Sequence, residues 1–131
     1  MSVNSWTPAE PNQSVDETLL KKGINAAMQD ALESLPEQLS PEEQSALAVQ
    51  VRLTQASWSE TLQQFSSDEL RAALRFFVKA EMLIPGCEAG DQSPAIWANR
   101  LLKQRGERLN QDELRWIREN TNNRFIPNGA L

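Results

Sequence analysis

A chain of 131 residues is long enough for one compact domain and short for two. It has no histidine and a single cysteine, which removes histidine acid–base chemistry, histidine-ligated zinc and any disulfide within the chain. Thirteen basic against eighteen acidic residues give a net charge of −5, so the chain as a whole is not a general nucleic-acid binder.

Residues 1–13 hold Pro8, Pro11, several Ser and Asn residues and one aromatic group, Trp6. Such a segment buries too little surface to offset the entropy of ordering it, which predicts a flexible tail followed by one domain over 14–131. The tail has neither a basic residue nor an apolar stretch, unlike a secretory or transit leader. The lone Cys87 fits a reducing compartment, and the expected address is cytoplasmic. The mean hydropathy is −0.53, and the absence of an apolar run near about 18 residues argues against a membrane span.

One local grammar recurs from Ser14 onward. Ser14–Glu17, Ser40–Glu43, Ser66–Glu69 and Asn110–Glu113 each place a capping oxygen ahead of two acids. The cap accepts an N–H of the first helical turn, the glutamate reaches back to the cap's own N–H, and both acids favour the positive end of the helix dipole. Ser57–Glu60 is a looser copy, and Ser93-Pro94 adds a start at which proline's missing N–H does no harm.

The first helix is expected from about Val15 to Leu35. Leu20, Ile24, Ala27, Met28, Ala31 and Leu35 share one face, and Pro36 ends it. The second is expected from Pro41 to about Ala56. Its alanines and leucines are spread all round, which suggests a central position. Residues 46–54 also alternate like a strand, with Leu47, Val49, Val51 and Leu53 on one side. The Ser40 start and the lack of a partner strand favour helix.

A short helix near Trp58–Phe65 comes next. The most apolar helix then carries Leu70, Ala73, Leu74, Phe77 and Val78 and stops at Pro85-Gly86. Residues 85–93 form a loop. Ser93-Pro94 opens a helix to about Gln104, closed by Gly106, and Asn110 caps a last helix to about Asn120. Thr121–Leu131 reads as irregular. The expected architecture is all-α, a single-domain bundle of five to six helices.

No catalytic constellation emerges. The acidic pairs Asp16-Glu17, Glu42-Glu43, Asp68-Glu69 and Asp112-Glu113 all fall in first-turn positions, where capping accounts for them. Cys87 neighbours Glu88 and Asp91, which disfavour a thiolate. Neither a metal nor an organic cofactor is expected. Adjacent bulky residues are informative: Phe76-Phe77 and Trp116-Ile117 project about 100° apart on a helix, so each pair spans more than one narrow face.

Charge is unevenly placed. Residues 1–92 hold six basic and fourteen acidic residues, whereas 93–131 hold seven basic and four acidic. Residues 93–124 therefore form a basic helical hairpin. The expected function is that of a small non-catalytic interaction protein, an adaptor or inhibitor. Its partner is another protein or a second copy, with no membrane. Its surface is expected at Arg115, Trp116, Arg118, Arg124 and Phe125, because tryptophan and arginine dominate many binding surfaces. The alternative is nucleic-acid binding through the helix-turn-helix outline of 93–124. Asp112 and Glu113 at the start of its second helix weaken that reading, since they repel phosphate.

Overall fold

The computed structural model describes residues 14–123 and 126. The expected flexible tail at 1–13, with Trp6, lies outside them. Among the described residues seven α-helices follow in order: α1 Glu17–Met28, α2 Leu35–Gln38, α3 Pro41–Gln50, α4 Gln55–Leu62, α5 Ser67–Leu83, α6 Pro94–Gln104 and α7 Gln111–Asn120. Two single 3-10 turns, Leu32–Ser34 and Gly90–Gln92, join them, and no strand occurs among the described residues. The all-α class is as expected, with more helices than the five to six read from sequence.

The extra helix comes from a break in the first one. α1 stops at Met28, and Asp30 takes a left-handed backbone at φ 56°. Ala31 N–H donates to Ala26 O at 2.8 Å and Asp30 N–H to Ala27 O at 3.2 Å, the paired bonds of a Schellman ending. Gly106 does the same for α6 at φ 75°, with Glu107 N–H donating to Leu102 O. Aspartate tolerates this conformation better than most residues, so α1 ends without a glycine to mark it. Pro36 is not the terminator; it sits in the first turn of α2, where no N–H is needed.

The reciprocal caps form at Ser40, Ser66 and Asn110, each bonded to the glutamate three residues on. Glu43 has its pKa lowered by the Ser40 N–H and by Lys22, which donates from 2.9 Å. Two starts differ from the sequence reading. α1 is capped by Asp16, not Ser14, and α4 by Thr54, not Ser57. Ser40→Ala and Ser66→Ala should each cost about 1 kcal/mol in chemical denaturation, whereas Ser14→Ala should change stability by less than about 0.5 kcal/mol.

α5 is the axis of the molecule. Leu70, Ala72, Ala73, Leu74, Phe76, Phe77, Val78 and Ala80 are all buried, and the helix packs against α6, α1, α7 and α2. Its alanines let neighbours approach from several sides. Both phenylalanines are internal because they serve different neighbours. Phe76 meets Gly23 of α1, and Phe77 meets Trp58 of α4 edge-on with ring centres 5.1 Å apart. The expected central helix, α3, is peripheral: Leu47 is its one buried residue. Its apolar spread is mostly alanine interrupted by glutamine and serine, which buries little. Residues 46–50 are helical and 51–53 form a turn, which settles the helix-or-strand alternative.

Candidate functional site

α7 packs against α5 and is tied to it by polar contacts from Arg71 and Lys79. Ile117 is buried at 1 % exposure. Arg71 of α5 donates to Glu113 Oε1 at 2.8 Å and to Glu107 O at 2.8 Å. Lys79 of α5, itself buried, donates to Asn120 Oδ1 at 3.1 Å and pairs with Glu33 at 2.6 Å. Glu113 thus has two tasks, since the same Oε1 accepts the Asn110 N–H in the capping box.

Between these ties the two helices leave a groove of about 250 Å³. Leu74, Ile117 and Leu109 supply its apolar surface, Trp116 forms a wall, and Arg71 and Arg75 stand on the α5 side. Trp116 is half-buried while its neighbour Ile117 is buried, as their 100° separation requires. Arg75 is half-buried and has no ion-pair partner among the described residues, whereas Arg71 is spent on Glu113.

The surface expected from sequence is divided by this geometry. Arg115 and Arg118 share an exposed face of α7, and neither lines the groove. At about 100° per residue they lie roughly opposite Glu113, Trp116 and Ile117. Arg115 contacts Asp112 at 3.5 Å with its side chain 65 % exposed. Arg124 and Phe125 fall outside the described residues. The groove's own cations, Arg71 and Arg75, were missed in the sequence. Their signal was an i, i+4 pair beside buried Leu70 and Leu74 on the most apolar helix.

The other basic groups of 93–123 are dispersed. Arg100 stacks over Trp97 at 5.0 Å. Arg105 donates to Gln63 O at 3.1 Å and Ser67 Oγ at 3.4 Å, tying α6 to the α4–α5 turn. The side chain of Asp112 is 90 % exposed in the first turn of α7. The helices of the basic hairpin each pack on α5, with the chain between them in residues 105–110.

Cys87 is a structural thiol. It is fully buried, and burial, reinforced by the charge of Glu88, pushes its pKa up to about 11. Arg52 secures the surrounding loop by donating to Gly86 O at 2.6 Å and Glu88 O at 3.2 Å. Glu81 is a second shifted group. Burial raises its pKa, against the opposing hydrogen bonds from Ala89 N–H and Asn123 Nδ2. Asn123 also donates to Gly90 O at 2.9 Å, so Glu81 and Asn123 join the 85–93 loop to the chain after α7. No group of three or more His, Cys, Asp or Glu residues is placed to hold a metal ion among the described residues. No helix among them is long and apolar enough to cross a membrane. Comparison with protein-family models, curated proteins and solved structures finds no match to this chain.

Proposed function

We propose that the protein is a non-catalytic interaction module, an adaptor or inhibitor, that binds a segment of another protein in the α5–α7 groove. The observation that carries this reading is the pairing of a half-buried Trp116 with a half-buried Arg75 that lacks an ionic partner among the described residues, over an apolar floor. A partner suited to it presents a large apolar side chain to Trp116 and Leu74, with a carboxylate beside it for Arg75. Aromatic and arginine anchors in a groove that excludes water are where binding energy concentrates. Arg115 and Arg118, on the other side of α7, would then act on encounter more than on affinity, because rim charges steer association.

The test is co-purification from the native cell, run in parallel with and without nuclease treatment. Trp116→Ala and Arg75→Glu, both confirmed folded by circular dichroism, should lose the bound protein. Each loss corresponds to roughly 2 kcal/mol or more, about thirtyfold in affinity. Arg115→Glu/Arg118→Glu should retain the partner with a slower on-rate. Retention by both groove variants would remove the groove from consideration. Loss confined to the arginine double variant, together with a nucleic acid sensitive to nuclease, would favour the hairpin as a nucleic-acid surface.

A further inference from the structure

On the other side of Leu109 lies a second concavity, of about 270 Å³, lined by Asn99, Lys103, Arg108, Leu109 and Leu114. Its chemistry differs from that of the first. Asp112 and Glu113 line the Trp116 groove, whereas no acidic side chain is among the described residues lining this one. Asn99 forms part of its wall at 1 % exposure, and its Nδ2 has no hydrogen-bond partner among the described residues. A buried amide N–H without an acceptor is destabilising, and an apolar side chain of similar shape would avoid that cost. The chain carries this penalty where α6 opens onto two cations.

Lys103 lies four residues after Asn99 and so shares its face of α6. Arg108 is exposed in the loop between α6 and α7 and has no ion-pair partner among the described residues. Asn99 lines the pocket, and the last torsion of an asparagine side chain is broad, so its NH₂ can turn toward a bound oxygen. Leu109 and Leu114 supply apolar walls that strengthen charge-assisted hydrogen bonds by limiting water.

We propose that this pocket is an oxyanion site. It takes the oxygens of a phosphate or carboxylate group, with Asn99 Nδ2, Lys103 Nζ and the Arg108 guanidinium as donors. The bidentate fork of Arg108 suits either group. The site stands apart from the Trp116 groove and does not require the groove to be occupied.

The test uses the full chain labelled with ¹⁵N, following the Asn99 side-chain amide and the Arg108 Nε–H by NMR. Inorganic phosphate and acetate are titrated separately at constant ionic strength set with sodium chloride, because surface attraction is screened by salt. The expected result is a saturable shift of both signals. Tighter phosphate binding would identify a phosphate-bearing ligand, and tighter acetate binding a carboxylate. Arg108→Gln should weaken the response at least tenfold, Asn99→Leu should abolish it, and Arg118→Gln should leave it unchanged. A shift that grows without saturation and matches that of chloride, meaning an adventitious ion only, overturns the proposal. So does an Arg108→Gln variant that binds like the parent, and this criterion stands even where Asn99→Leu fails to fold.

Discussion

Phe77→Ala should cost about 3–5 kcal/mol of stability, a large part of the ~5–15 kcal/mol that holds a domain of this size. Phe77 is 1 % exposed and lies at the crossing of several elements. Its ring touches Trp58 edge-on at 5.1 Å and Phe76 at 5.1 Å with the planes tilted 45°. Removing it vacates the space between α4 and α5 and takes away the partner of a tryptophan that is also 1 % exposed. Trp58 cannot swing in to fill the gap, because its Nε1 is tied to Gln50 O at 2.9 Å, at the end of α3. The loss therefore combines transfer, cavity and aromatic-pair contributions. Urea denaturation followed by circular dichroism should show a lower midpoint with an unchanged slope. Phe77→Leu, which leaves a smaller cavity, should lose about 1 kcal/mol. A loss below about 1 kcal/mol for Phe77→Ala would mean that the core is not organised around α5.

What the sequence made legible was local. Three reciprocal caps, at Ser40, Ser66 and Asn110, were read correctly because a cap and its glutamate are both present within four residues. The bounds of α6 follow in the same way from Ser93-Pro94 at one end and Gly106 at the other. The failures arose where a tertiary choice decided between local options. Ser14 and Asp16 are both competent caps, and the hydrogen bond from Asp16 N–H to Gln50 Oε1, 34 residues away, helps fix where α1 begins. Asp30 can continue a helix or end it, and nothing beside it in sequence says which. The position of α5 rather than α3 at the centre depends on which helix presents bulky groups on more than one face.

The candidate site was legible only in part, for the same reason. Trp116 was identifiable because its neighbour Ile117 had to point elsewhere. Arg71 and Arg75 belong to a helix distant in sequence, and their relation to Trp116 is created by the docking of α7. Arg115 and Arg118 were grouped with Trp116 by proximity in sequence, but helical geometry sends them to the other side. A cluster of useful residue types within one decapeptide is therefore weaker evidence for a shared surface than the same types on one helical face.

Gly23→Ala should lower stability by about 1–2 kcal/mol, although alanine is the better helix former by roughly 0.5–1 kcal/mol. Gly23 lies inside α1, is buried, and has ordinary helical geometry, so backbone strain plays no part. The reason is the facing helix. A Cβ at position 23 would run into Cδ2, Cε2 and Cζ of Phe76. That ring is itself fully buried and touches Phe77 behind it, so it cannot retreat without disturbing the Trp58 contact. Glycine here lets α1 lie close on α5, and the side chain that would improve the isolated helix separates the pair. The double variant Gly23→Ala/Phe76→Leu supplies the check. The smaller, more flexible leucine yields space to the added methyl group. The double variant should therefore lose less than the sum of the two single losses, with a coupling of about 0.5–3 kcal/mol. Additive losses, or a gain from Gly23→Ala alone, would show that α1 is not seated on Phe76.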